Sequence, residues 1–223
     1  IYKGWFVRLR FPGYENTRIV DGLREGWENG TSGDLVEFKK GKNITLDTVS
    51  EGNVPVVAGG LTPAYYHNVA NTISPTITIS ASGANAGFVN LYYEDIWASD
   101  CSFLDSKSTD TLFFYYLTLK TRQNEVFFLQ KGSAQPHVYP KDIMTLKMKI
   151  PSNDLIEKFE DLVVTFFEEI KILSQKNQLL QETRDLLLPR LISGKLSVEH
   201  LVEKELGMVE EPTVNYQKTK MEE

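Results

Sequence analysis

The sequence is poor in the groups on which many enzymes and scaffolds depend. It has one cysteine, Cys101, in 223 residues. That excludes an internal disulfide framework and fits a reducing, cytoplasmic setting, with Cys101 itself reading as a small buried hydrophobe. One cysteine and three scattered histidines leave no sequence-local zinc set, so no metal is expected. The longest apolar run, Leu112 to Leu119, is far too short to cross a membrane, and no membrane partner is expected. There is no Gly-x-x-x-x-Gly-Lys-Ser/Thr phosphate loop, nucleophile elbow or His-Glu-x-x-His. There is also no glycine-rich cofactor fingerprint after a strand and no Asn/Asp-Pro-Pro-Tyr. Gly83-Ala84-Asn85-Ala86-Gly87 comes nearest to a phosphate cradle, but it has too few glycines and leads into a strand rather than a helix. No catalytic residue and no cofactor is expected. No secretory signal is visible, and the sequence opens at Ile1 rather than Met, which leaves room for a preceding segment.

Net charge is −6, at first sight unfavourable for a nucleic-acid binder. The excess is not spread evenly. Residues 1–150 hold fifteen basic and fifteen acidic side chains, and residues 151–223 hold nine and fifteen. The first part is therefore free to present a local basic surface.

What the sequence has in quantity is helical periodicity near its C-terminal end. From Asp154 to Leu188 a seven-residue repeat places Ile156, Val163, Ile170, Asn177, Arg184 and Leu191 at one core position. Phe159, Phe166, Leu173, Leu180 and Leu187 hold the other. The alternation lasts for roughly five heptads, the pattern of a coiled coil, and at about 1.5 Å per residue the helix would be roughly 50 Å long. In its first half Leu155, Leu162 and Phe167 widen the face, as packing on a globular domain requires. From Leu173 the face narrows to a seam that holds Asn177 and Arg184, polar residues that favour one register. Asn153 is the expected N-cap, Pro189 is expected to end or kink the helix, and the tail from Met208 is acidic and expected to be disordered.

The preceding 150 residues predict a mixed α/β (α+β) domain. Trp5 to Phe11 alternates apolar and basic residues and reads as a short strand or arm turned by Pro12-Gly13. Strands are expected at Asp34–Phe38, Val54–Ala58, Ile73–Ser80, Phe88–Tyr92, Ile96–Ala98 and Leu146–Ile150, with another beginning at Val138. Lys39-Lys40-Gly41-Lys42 reads as a basic turn. Helices are expected at Asp110–Thr121, capped by Thr109 or Asp110, at Asn124–Gln130, and for one turn at Pro140–Met144. The loops between these elements offer Tyr, Ser, Thr, Asn, Gln and His, groups that hydrogen-bond base edges or phosphates.

Several stretches resemble the specificity subunit of type I restriction-modification enzymes, or rather one half of it. Leu23-Arg24-Glu25-Gly26-Trp27-Glu28 is similar to the "Pro-Glu-Gly-Trp" lead-in to a target recognition domain. Gly33-Asp34-Leu35 with Lys40-Gly41-Lys42 matches that domain's first strand and turn, and Gly132-Ser133-Ala134-Gln135-Pro136-His137 matches a family loop. Lys149-Ile150-Pro151 before a long helix, and Arg184 to Lys195 at its end, look like the family's spacer helix. Leu155-Ile156 departs from the family, which usually has Gln there. The resemblance spans about residues 23–197 and implies a non-catalytic subunit. Such a subunit reads a split double-stranded DNA target and recruits the modification (methyltransferase) and restriction (translocase/nuclease) subunits. A full subunit has two such halves whose helices pair antiparallel.

These readings combine into a recognition domain at residues 1–150, a spacer and dimerisation helix at 151–197 and a tail at 198–223. Lys42, Thr62, Tyr65, Tyr66, Ser82, Asn85, Gln135 and His137 are the expected DNA-facing residues; half-buried packing is the alternative for Tyr65, Tyr66 and His137. Ile170, Leu173, Asn177, Leu180, Arg184 and Leu187 are the expected pairing residues, in a homodimer or with the other half of a longer subunit. An antiparallel pair centred near Leu180 would set each Asn177 near the other chain's Arg184. A coiled-coil interaction protein and the recognition domain of a single-chain restriction-modification enzyme remain as other readings.

Overall fold

A computed structural model describes residues 1–196. The tail expected at 198–223 lies outside the described residues. The described chain falls into two units, one ending at Lys171 and the other beginning at Ile172.

The first unit opens with a π-helical turn, Lys3–Val7, not the strand the alternation predicts. A strand would send Trp5 and Phe6 to opposite faces, whereas here both rings meet Phe159, at 5.5 and 4.9 Å. A small hairpin follows, β1 (Ile19–Val20) with β2 (Leu23–Arg24), and then β3 (Glu28–Thr31). The strand expected at Asp34–Phe38 is instead a 3-10 turn, Ser32–Asp34. The Asp34 carboxylate accepts hydrogen bonds from the Thr31 amide and hydroxyl, and this local bonding outcompetes extension. The "basic turn" begins as a strand, β4 (Lys39–Lys40).

The central sheet runs β4–β10–β7–β8, all antiparallel, with β7 at Thr76–Ser80, β8 at Val89–Tyr92 and β10 at Cys101–Asp105. The β7–β8 hairpin is as expected, although Ile73 stays outside it, exposed. Strand β10 is central and fully buried yet gives little sequence signal. It carries Ser102 and Asp105, the latter satisfied by Lys39 and Ser108. A second sheet orders β6 (Tyr65–His67), β5 (Val54–Val57) and β9 (Trp97–Ala98), with the β5–β9 pairing parallel.

Helix α1 (Leu112–Thr121) packs Phe113, Phe114 and Tyr115 into the core. Its N-cap is Thr111, not Thr109 or Asp110, and no local side chain caps it. The cap is remote. Both oxygens of the buried Glu160 carboxylate accept α1 amides, from Phe113 and Phe114, at 2.8 Å each. Helix α2 (Gln123–Phe127) stops short of Gln130, and no strand starts at Val138; only isolated bridges to His137 form there. Helix α3 (Pro140–Ile143) and β11 (Lys147–Ile150) match expectation, β11 pairing with β3.

Helix α4 runs Asn153–Ile192. The Ser152 carbonyl accepts the Leu155 and Ile156 amides, so the cap lies one residue before Asn153. Within the first unit α4 buries Leu155, Ile156, Phe159, Glu160, Val163 and Phe167. That is the 3.6-residue period of a docked helix. Leu162 and Phe166, expected inside, are 41% and 49% exposed, and Phe167 takes the core place by stacking on Phe113 at 4.1 Å. In the second unit α4 continues through Pro189, which neither ends it nor stops Ile192 from being helical.

Candidate nucleic-acid interface

Five of the connecting loops meet at one side of the two sheets. Gly41 carries β4 across the β9–β10 turn so closely that a Cβ there would lie 2.1 Å from the Ser99 carbonyl oxygen. That crossing fixes Lys42. Its amide donates to Ala98 O at 2.9 Å, and its own carbonyl accepts the Trp97 indole N–H at 2.8 Å. The Lys42 ammonium is exposed and stands 5.9 Å from the Trp97 ring centre.

Ser82 is half-buried and its hydroxyl donates to Asp100, which ties the β7–β8 loop to the β9–β10 turn. The same loop meets the Gly132–His137 turn, where Gly83 N donates to Pro136 O at 3.1 Å and Ser82 bridges His137. The Lys131 and His137 amides and carbonyls exchange hydrogen bonds, and the His137 ring stacks on Tyr139. Gln135, in this turn, is exposed, while Asn85 is half-buried. Thr62 is exposed in the turn between β5 and β6. The structure therefore brings Ser82 and His137 together beside Asp100 and anchors the Lys42 backbone on the same turn, with Asn85 on the loop of Ser82 and Gln135 on that of His137.

Tyr65 and Tyr66 are adjacent on β6 and alternate across it. Tyr65 is half-buried and donates its hydroxyl to Ile44 O at 2.6 Å, whereas Tyr66 is exposed. The two tyrosines cannot serve one surface together.

The sequence reading missed most of the basic component. Lys39 and Lys40 lie on the edge strand β4, and Lys141 stands 5.9 Å from the Tyr139 ring. Lys39, Lys40 and Lys141 border a 210 Å³ cavity and the open cleft beside it, which Asn43, Ser99, Asp100 and His137 also line. Ser102 forms its floor, and its buried hydroxyl has no hydrogen-bond partner among the described residues. The Lys39-Lys40-Gly41-Lys42 run was visible as charge, but Lys141 is brought there only by the fold. Lysines on an edge strand also protect it from pairing with another chain, so their charge has two uses. Burial acts to raise Asp142, yet hydrogen bonds from Lys131 and the Tyr139 amide hold its carboxyl below the usual range. Among the described residues no cluster of His, Cys, Asp and Glu could hold a metal ion. No helix among them is long and apolar enough to cross a membrane.

Such a face of hydrogen-bonding loops with lysines at its border suits a polyanion with readable edges. A family model described as "Type I restriction modification DNA specificity domain" matches residues 24–182. The chain belongs to this family. It is 24% identical over 230 residues to the type I restriction enzyme MjaIX specificity subunit of Methanocaldococcus jannaschii, covering 90% of this chain and 52% of that protein. It is 25% identical over 190 residues to the MjaVIII specificity subunit of the same organism, covering 76% of this chain and 44% of the relative. Among solved structures, the S subunit of a type I restriction-modification system from M. genitalium superposes with a TM-score of 0.62 at 21% identity, over 86% of this chain and 52% of that one. The chain thus spans about half the length of the specificity subunits it matches, and the mixed domain with its long helix is the specificity-domain fold.

Proposed function

We propose that this chain reads one half of a split double-stranded DNA target for a type I restriction-modification system and carries no catalytic residue itself. The family match over residues 24–182 carries the reading. The convergent loops with Lys42, Ser82, Gln135 and His137 support it as the reading surface, and Lys39, Lys40 and Lys141 position the phosphate backbone. Residues 1–150 act as the recognition domain and 151–197 as the spacer.

The helix serves assembly. In the second unit Leu173, Leu180 and Leu187 are exposed, and so are Ile172, Leu179 and Leu186 at the same seven-residue spacing. The apolar band is thus wider than the narrow seam expected. One stripe pairs antiparallel with a second copy, or with the other half of a longer subunit, through Ile170, Leu173, Asn177, Leu180, Arg184 and Leu187. The other docks the modification subunits, which in turn bring the restriction subunit. All of this takes place in the cytoplasm.

The test is reconstitution. The chain is mixed with the modification subunits of the same host, and methylation is mapped on genomic DNA. Methylation confined to one split motif is expected. Its persistence when the chain is omitted would refute the assignment, as would methylation without sequence preference.

A further inference from the structure

A groove of 1040 Å³ lies in the first unit and is lined by none of the reading-loop residues. Its walls carry Lys3, Arg8, Arg122, Lys147 and Lys149 against one carboxylate, Glu125, which Arg122 already pairs. These are five of the fifteen cations in residues 1–150 and one of the fifteen acids. A stretch with no net charge has therefore concentrated positive charge in one concavity. The β3–β11 ribbon builds part of it by setting Lys147 opposite Thr31 and Lys149 opposite Asn29. The lining also has an apolar part, Phe6, Phe114, Met148 and Val7, the last 63% exposed, beside the hydroxyls of Thr31, Thr118 and Thr121. A duplex backbone would satisfy the cations but has nothing to offer the apolar lining. A peptide that alternates acids with alkyl side chains satisfies both.

The chain's own sequence contains such a stretch. Residues 197–211 hold Glu199, Glu203, Glu205, Glu210 and Glu211 with a single Lys204, interleaved with Leu201, Leu206 and Val209. We propose that the groove receives residues 197–211 of a second copy of the chain. This rests on the antiparallel pairing proposed above. A pair centred on Leu180 sets Ile192, where α4 ends, across from Glu168 of the other copy, equally far from the centre. Glu168 lies in the other copy's first unit, the unit that holds the groove. At about 3.4 Å per extended residue the segment spans up to roughly 50 Å, enough to reach and cross a groove of this size. Its function is to strap the two copies together, adding an intramolecular contact to the helix pair. It also covers a basic surface that would otherwise hold DNA away from the reading loops.

The experiment uses full-length protein and cysteine pairs. Cys101 is buried and stays silent. Lys204→Cys and Asn29→Cys variants are prepared separately, mixed and left to oxidise in air. A disulfide-linked heterodimer is expected, forming about tenfold faster than between Lys204→Cys and Glu51→Cys, and slowed by high salt. Joint Arg8→Glu and Lys147→Glu substitution in the Asn29→Cys copy should slow the link about tenfold while light scattering still reports a dimer. A dimer with no preferential link would overturn the strap and leave the helix pairing standing. A monomer in light scattering would overturn both. Loss of random-duplex binding on the double reversal, with the link unchanged, would make the groove a nucleic-acid surface and end the proposal.

Discussion

Gln135 is exposed in a turn held by the Lys131–His137 exchange, so its amide can pair while its backbone is fixed. If it reads a base, Gln135→Ala should lose roughly 1–3 kcal/mol of discrimination at one target position and leave random-duplex binding unchanged. Competition titrations with single-base variants check this, and equal loss on cognate and random DNA would remove Gln135 from the reading surface. Glu160 uses its polarity in the opposite way, inward. Burial pushes its carboxyl above the ordinary glutamate value, against the pull of the Phe113 and Phe114 amides. The folded state therefore binds its proton more tightly than the unfolded chain does. The stability that this linkage contributes is complete below the unfolded value and lost as pH rises through the folded one. Urea unfolding should show wild type gaining on Glu160→Gln as pH falls from neutral through that window, and a gap independent of pH would refute the linkage. Glu160→Ala should cost about 1–3 kcal/mol at neutral pH, since it leaves two buried α1 amides without acceptors, and more as pH falls through the same window. Cys101 is similarly enclosed, and burial pushes its thiol up to about 12. It should resist thiol reagents at neutral pH until the protein is unfolded.

Among the elements, α4 separates two periods that one sequence pattern superimposes. Phe159 is fully buried against Tyr2, Trp5, Phe6 and Phe114, while Phe166, seven residues on and equivalent in heptad register, is half exposed. Phe159→Ala should cost about 3–5 kcal/mol of folding stability. Phe166→Ala should leave folding nearly unchanged and instead weaken self-association, a contrast that urea titration and light scattering of the two variants will show directly. The sequence pattern could not distinguish them, because 3.5- and 3.6-residue repeats diverge by only about 20° per heptad. The same limit explains what else escaped it. Hairpin β7–β8, helix α1 and strand β11 were legible because their patterns are local. Strand β10 was not, because it is covered on both faces and its Asp105 is held by a distant partner, Lys39. The α1 cap was not, because Glu160 lies more than forty residues away. In the site, Ser82, Gln135 and His137 were legible from loop composition. Lys141 and the opposed faces of Tyr65 and Tyr66 appeared only once β6 and α3 were placed.

For the whole molecule, charge and assembly lead to the same expectation. Residues 1–150 have no net charge and residues 151–223 hold the −6 excess, so the chain alone should bind DNA weakly, and addition of the modification subunits should steepen the salt dependence. Nanomolar binding by the chain alone at physiological salt would contradict that. Assembly depends on the exposed stripe. Leu180 is 66% exposed and Leu173 50%, apolar side chains that a second helix would remove from water. Arg184 in the single chain pairs with its neighbour Asp185, both well exposed, so nothing buried is lost when it turns to an Asn177 oxygen across an antiparallel pair. Such a pair is two-fold symmetric, and a symmetric dimer reads an inverted repeat. A carboxylate at the centre of the stripe would sit against its own copy across the axis. Leu180→Asp should therefore yield monomers at tens of micromolar, an association weaker than roughly −6 kcal/mol. Because Leu180 lies in the second unit and is 66% exposed, unfolding of the first unit, followed by near-ultraviolet circular dichroism, should be unchanged. A wild type that is itself monomeric at those concentrations would refute the homodimer, leaving the other half of a longer subunit as the stripe's partner.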